Sequence, residues 1–217
     1  PHGGRVDVRL HAAGPGIGEE AIETTEHRLR ARLGPALYGV GERPLEAVVL
    51  ERLGERGLTL GVAESLTGGR IGAALTRVPG SSAVFLGDIV AYSNEAKQTL
   101  LNVPADLLVA HGAVSAHTAR AMAVGARQAL GAGVAISTTG IAGPAGGTDR
   151  KPVGLVFCGL ATPHSTMSYR FHFAGSREMI QDRSVTLALN VLWLYLLQRL
   201  DRLAAHVPSG EPEDAHD

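Results

Sequence analysis

Three short apolar runs in this chain each end in a polar, glycine-bearing segment, and no other feature narrows the fold so far. Leu58 to Ala63 leads into Glu64-Ser65-Leu66-Thr67-Gly68-Gly69 and then a helical stretch, Arg70 to Arg77, stopped by Pro79-Gly80. Ala83 to Tyr92 leads into Ser93-Asn94-Glu95, a good helix start for Ala96 to Leu101. Val134-Ala135-Ile136 feeds the glycine-rich stretch Gly140 to Gly147. Ser115 to Leu130 has a small-residue helical pattern, with Ser115 as N-cap and Gly131 as stop. Two more strand candidates, Gly154 to Ala161 and Met167 to Phe173, are close enough in sequence to form a hairpin. A long leucine-rich helix from about Ser176 to His206 follows. Strands alternating with helices imply an α/β fold on a layered sheet, and the hairpin makes that sheet mixed.

The 217 residues suffice for one full domain and an appendage. Arg5 to Leu10 alternates polar and apolar residues, which predicts a short half-buried strand, and Glu19 to Leu33 reads as an amphipathic helix stopped by Gly34-Pro35. This strand-helix unit (residues 1–43) is too short to bury a core, and with Pro1 in place of a starting Met it reads as the end of a domain lying upstream. The main domain is placed at 44–206, beginning where Pro44 suits a first helical turn that runs on to Gly57. Residues 207–217, with Pro208, Pro212 and the acidic Glu211, Glu213, Asp214 and Asp217, are expected to be a disordered tail.

Aromatic residues make up 4% of the chain, so the core must be Ala, Leu and Val. A net charge of −1 argues against a strong grip on nucleic acid or anionic lipid. The single cysteine, Cys158, has no partner for a disulfide and sits in an apolar run that predicts burial. The longest apolar stretch, Val185 to Leu197, is broken by Thr186, Asn190 and Tyr195 and falls short of the ~20 residues that span a bilayer. The chain is therefore read as cytoplasmic, without a membrane partner. Leucines on nearly every face of the last helix predict that it lies between the sheet and another subunit, as in a homodimer.

In open α/β sheets ligands bind beyond the carboxyl ends of the strands, where Glu64 to Gly69, Tyr92 to Lys97 and Thr138 to Gly147 converge. Thr67-Gly68-Gly69 opens a helix, so its N–H groups are candidates to hold a phosphate or carboxylate, or are plain turn chemistry. Ser65 can be a nucleophile or a helix cap. Lys97 is a solvated lysine or, if buried beside Ser65, the base that takes its proton, with the Tyr92 hydroxyl relaying or holding it. Gly140 to Gly147 can supply N–H donors to an oxyanion or to a substrate phosphate. Arg177, at the mouth of the last helix, is a surface charge or a phosphate partner. The histidines show no metal-binding spacing, and no phosphate-loop or dinucleotide signature is present.

Six segments together carry a family likeness: Ala63 to Gly69, Pro79-Gly80-Ser81-Ser82, Tyr92 to Lys97, His111 to Ser115, Thr139 to Pro144, and Lys151-Pro152-Val153-Gly154. They resemble the CinA C-terminal domain, the nicotinamide mononucleotide (NMN) deamidase family also called PncC. The resemblance implies a three-layer α/β/α sandwich that hydrolyses NMN to nicotinate mononucleotide and ammonia, with no metal or cofactor. By motif, Ser65 is the nucleophile, Lys97 the general base and Tyr92 the motif tyrosine. Thr67, Gly68, Gly69, Ser82, Thr139, Gly140, Ala142, Gly143 and Arg177 then line the substrate and phosphate pocket. Residues 1–38 resemble the end of a KH-like middle domain, although they lack a Gly-x-x-Gly clamp and RNA binding is not expected. The resemblance also points to dimers. Leu66 stands where the family commonly has Cys. Gly175-Ser176-Arg177 replaces Gly-Asp-Arg, and Gln181 replaces a common arginine, which predicts the loss of a cationic phosphate contact. The alternative reading is a nucleotide-binding or regulatory module that has lost turnover.

Overall fold

A computed structural model describes residues 6–14, 18–203 and 211–212. Its helices are α1 (Glu19–Leu33), α2 (Leu45–Glu55), α3 (Arg70–Thr76), α4 (Asn94–Leu101), α5 (Ala105–His111), α6 (Ala116–Ala129) and α7 (Arg177–Leu196). Its strands are β1 (Leu60–Glu64), β2 (Phe85–Val90), β3 (Val134–Gly140), β4 (Leu155–Ala161), β5 (Thr166–His172) and the two-residue β6 (Glu211–Pro212). They form one sheet in the order β2-β1-β3-β4-β5-β6. β1 runs parallel to β2 and β3, whereas β3–β4, β4–β5 and β5–β6 are antiparallel, so the sheet is mixed and β4–β5 is the expected hairpin.

The period of two in the strands sorts side chains to two faces. Leu60, Val62, Val134, Ile136, Val156, Cys158 and Leu160 pack under α2, α3 and α7 in the larger core. Ala63, Ala135 and Phe157 face the layer of α4, α5 and α6, where the packing residues include Ala119, Met122 and Ala126. The result is the three-layer α/β/α sandwich. Few aromatics are needed because the second layer sits very close to the sheet. A Cβ on Gly159 of β4 would stand 2.3 Å from the Ala119 carbonyl of α6, and one on Gly125 of α6 would stand 2.0 Å from the Leu101 carbonyl of α4. Ser137 of β3 donates a 2.6 Å hydrogen bond to that same Ala119 carbonyl.

Several boundaries differ from the sequence reading. Residues 6–10 form no strand; Val6 and Val8 are 71% and 55% exposed, because among the described residues no neighbouring strand takes up their backbone groups. α1 is present as expected but buries none of its residues. Pro44 caps α2 with an extended ψ of 151° instead of entering its first turn. α5 follows Pro104 and was not foreseen, since its seven residues are too few to show a period. α7 ends at Leu196, not His206, because Gln198 turns to a positive φ of 56° and a 3-10 turn, Leu200–Arg202, follows.

Most of the apolar surface of α7 is covered within the chain, Met179 being 46% exposed. Leu187, Leu189, Trp193 and Leu194 are buried in the core that α2 and α3 share, and the Trp193 indole N–H donates to the Pro35 carbonyl at 2.8 Å. A second subunit is therefore not needed to explain its leucines. Of the tail expected to be disordered, Glu211 and Pro212 pair with Arg170 and Tyr169 of β5, and the other residues lie outside the described ones. No helix among the described residues is long and apolar enough to cross a membrane.

The α4–α6 crossing gives a direct test. Alanine is intrinsically favoured over glycine inside a helix by about 1 kcal/mol, but at position 125 its methyl meets a backbone carbonyl that cannot move aside. Gly125→Ala is expected to lower the unfolding free energy by about 1–3 kcal/mol, read from urea denaturation.

Candidate active site

All five residues of β1 are buried, and the chain leaves the strand at Glu64 straight into Ser65. The Ser65 N–H donates to the Thr138 carbonyl at 3.0 Å, so the β1–β3 ladder runs one residue past the strand and fixes where the hydroxyl stands. Gly68 and Gly69 then take positive φ values of 61° and 91°, which lets the chain turn into α3 within a few residues. The Thr67 and Thr138 hydroxyls share a 2.7 Å hydrogen bond beneath this turn. From α7, the Gln181 side-chain amide donates to the Leu66 carbonyl at 2.8 Å.

Opposite Ser65 stands Lys97, one turn into α4, which Ser93 caps by accepting the Ala96 N–H at 3.0 Å. Lys97 is 1% exposed, and its Nζ lies 3.1 Å from Ser65 Oγ, 2.9 Å from the Ala91 carbonyl and 3.2 Å from the Tyr92 carbonyl. Desolvation by burial lowers its pKa from 10.5 to about 8. The partners decide what a neutral Lys97 does. A neutral amine has two N–H bonds and one lone pair, and a carbonyl oxygen can only accept. If the two carbonyls take both N–H bonds, the lone pair faces the Ser65 hydroxyl, which is the arrangement that removes its proton. Ser65 has no capping role, because α3 is capped by a different group.

That group is Glu64. Its buried carboxylate accepts the N–H of Gly69 at 2.9 Å, of Ile71 at 2.7 Å and of Gly72 at 2.9 Å. The amides expected to greet a substrate phosphate are therefore taken: those of Gly69, Ile71 and Gly72 by the chain's own Glu64, and those of Gly68 and Arg70 by the Ser65 and Thr67 carbonyls. Gly68 and Gly69 serve the shape of the turn: a Cβ on Gly68 would meet nothing within 4 Å, so the positive φ alone calls for glycine. The expectation that the opening of α3 holds a phosphate is corrected accordingly. Sequence reading missed Glu64, Thr138 and the contact of Gln181. An acidic residue closing an otherwise apolar strand was the available signal for the first.

Tyr92 is also used differently from the expectation. Its carbonyl, not its hydroxyl, touches Lys97; the ring is 60% exposed and the hydroxyl accepts from Arg177 at 2.9 Å. A relay from Lys97 through that hydroxyl has no hydrogen-bond path here. Arg177 also donates to the Gly143 carbonyl at 2.7 Å, so it ties the Tyr92 segment to the β3–β4 loop across the mouth of the site. In that loop Thr139 donates to the Ala113 carbonyl at 2.7 Å and Ala142 is buried. Gly143 has a φ of 74°. A Cβ on Gly140 would stand 2.6 Å from the Leu155 carbonyl and 3.0 Å from Leu66, which places Gly140 against the Ser65 turn.

Ser82 is not brought to this place. It lies in the 3-10 turn Ser81–Ala83 that precedes β2, and β2 is parallel to β1, so Ser82 stands at the sheet edge opposite Ser65. Two departures from the family pattern have local roles. The Ser176 hydroxyl caps α7 by accepting the Met179 N–H at 3.3 Å, and Gln181 steadies the turn that carries Ser65. Among the described residues no cluster of His, Cys, Asp or Glu is arranged to hold a metal ion.

An α/β/α sandwich with a buried serine–lysine pair where its parallel strands end is the class of protein that fold and site define. Comparison with known proteins then identifies the lineage: the chain belongs to the CinA C-terminal domain family, whose sequence profile matches residues 42–196. A CinA-like protein of Synechococcus is 49% identical over 203 residues, covering 91% of this chain and 48% of its own length. One from Geobacter is 50% identical over 179 residues, covering 82% of this chain and 43% of its own length. The chain thus spans about half the length of the curated relatives it matches. Among solved structures, the competence damage-inducible protein A of Klebsiella pneumoniae superposes with a TM-score of 0.69 at 37% identity, covering 70% of this chain and 95% of that one. The competence/damage-inducible protein of Agrobacterium tumefaciens gives 0.68 at 37% identity, covering 73% and 100%.

If Gly68 serves the backbone alone, Gly68→Ala is expected to cost about 1 kcal/mol of unfolding free energy through its left-handed φ, with no added steric loss. Urea denaturation beside Gly68→Asn, which tolerates that region better, checks it: the Asn variant should recover part of the loss.

Proposed function

We propose that this domain hydrolyses the carboxamide of NMN, releasing ammonia and nicotinate mononucleotide. The observation that supports the reading most is Lys97 Nζ, buried and 3.1 Å from Ser65 Oγ, with two carbonyls as its other partners. Ser65 attacks the carboxamide carbon while its proton passes to Lys97. The tetrahedral adduct collapses as Lys97 returns that proton to the departing nitrogen, so the C–N bond breaks and ammonia leaves. Water then attacks the ester on Ser65, Lys97 again takes the proton, and its return to Ser65 Oγ frees the acid.

An amide calls for a base that also protonates a poor leaving group, and a lysine with a pKa near 8 exists in both forms at neutral pH. Arg177 uses two of its N–H groups on Gly143 and Tyr92 and keeps other donors for a phosphate at the mouth. With Gln181 directed at Leu66, Arg177 carries this contact without help from position 181.

The test is ammonia release from NMN by the wild type, Ser65→Ala and Lys97→Met, with and without EDTA. Turnover is expected to be insensitive to EDTA and to fall at least about a thousandfold in each variant. Wild-type activity should climb with pH up to about 8, because the base form of Lys97 is needed. A wild type that releases no ammonia contradicts the reading. A rise in melting temperature with NMN but no turnover would instead favour a nucleotide-binding module.

A further inference from the structure

Beneath the nucleophile turn lies a second ionisable pair that the proposed chemistry does not use. Asp88 of β2 stands opposite Val62 of β1, so its side chain shares a sheet face with Glu64, two residues on. Both carboxyls lie under α3, and Asp88 fits there because residue 72 has no side chain: a Cβ on Gly72 would stand 2.5 Å from Asp88 Oδ2 and 3.0 Å from its Cβ. The Gly72 N–H donates to Glu64 Oε1 at 2.9 Å while Asp88 Oδ2 lies against the place a Gly72 side chain would take, so the two carboxyls stand close together, and the nearness of Glu64 helps to raise the Asp88 pKa. Asp88 Oδ1 is buried with no hydrogen-bond partner among the described residues.

We propose that Glu64 and Asp88 share one proton and act as positioning residues for Ser65: Asp88, protonated, donates to Glu64, and ionised Glu64 gathers the N–H groups of Gly69, Ile71 and Gly72 to hold the turn that presents the nucleophile. The proton rests on Asp88 because Glu64 has three N–H donors to stabilise its charge. Burial first, and then the neighbouring Glu64 carboxyl, raise the Asp88 pKa from 3.8 to about 8, against the lowering effect of the Gly72 backbone N–H. No cation offsets this from the packed elements. Asp88 and Glu64 are the only ionisable residues of β2 and β1, and Arg70, the only one of α3, is drawn 2.8 Å to Asp182 of α7. Loss of the Asp88 proton sets two carboxylates against each other under the turn and loosens it.

The sign of the effect on stability follows. Unfolded Asp88 ionises near 3.8 and folded Asp88 near 8, so between those values the folded state holds the extra proton and stability falls as pH rises. Asp88→Asn keeps a donor toward Glu64 with no proton to lose, whereas Asp88→Ala has no donor. The inference rests on the proposed deamidase reading for its kinetic arm only.

The experiment measures melting temperature from pH 5 to 9 and ammonia release from NMN from pH 6 to 10 for wild type, Asp88→Asn and Asp88→Ala. The melting temperature of Asp88→Asn should gain on wild type by roughly 3 °C per pH unit up to about pH 8. The wild-type rate profile should be bell-shaped, while Asp88→Asn keeps only the rising limb and exceeds wild type roughly tenfold at pH 9. Asp88→Ala should lose kcat at every pH at which it stays folded. Parallel melting curves for wild type and Asp88→Asn, or an alkaline limb that survives in Asp88→Asn, would overturn the proposal. If no variant releases ammonia, the deamidase reading fails while the melting curves still decide the carboxyl pair.

Discussion

A primary amine enclosed by protein loses the hydration that favours its charged form, and the structure places that loss beside a single hydroxyl. Lys97 is 1% exposed, and the protein returns two carbonyls and the Ser65 hydroxyl in place of water. Two acceptors that can only accept leave a neutral amine one direction for its lone pair. The chemistry proposed for the site depends on this. If Lys97 were solvated, its proton would stay on at neutral pH and Ser65 would have no base.

Holding that pair requires three segments to meet from separate parts of the chain. β1 delivers Ser65, the β2–α4 turn delivers the Ala91 and Tyr92 carbonyls and Lys97, and β3 anchors Ser65 through the Thr138 carbonyl. They meet because the three strands are parallel neighbours and end at one edge. α4 is kept in place from behind by α6, whose Gly125 admits the Leu101 carbonyl and whose small residues let it lie close on the sheet. The scarcity of aromatics follows from this close layering. On the other face the larger core of α2, α3 and α7 supports the turn that carries Ser65, with Gln181 reaching from α7 to the Leu66 carbonyl.

Much of this was legible in the sequence where local chemistry decides the outcome. Ser93 and Ser115 cap α4 and α6 as their positions suggested, and the strands appear where the apolar runs stand. Ser65 and Lys97 were singled out together and are in contact. The failures share a physical cause, since each depended on a partner far away in sequence. Residues 6–10 have the alternation of a strand but, among the described residues, no neighbour to pair with. The glycines before α3 looked like an anion cradle until Glu64 turned back to fill it. Ser82 was grouped with the site by motif, yet the parallel direction of β2 puts it at the far edge. Tyr92 contributes its carbonyl to Lys97, a role that no side-chain reasoning can reveal.

The most direct test of the account is the titration of the Lys97 amine itself, followed by NMR in protein labelled with 15N-lysine and assigned by the signal lost in Lys97→Met. An inflection near pH 8 is expected. An inflection near the ordinary 10.5 would contradict it, because Lys97 would then stay charged at neutral pH and the lone pair aimed at Ser65 would not exist.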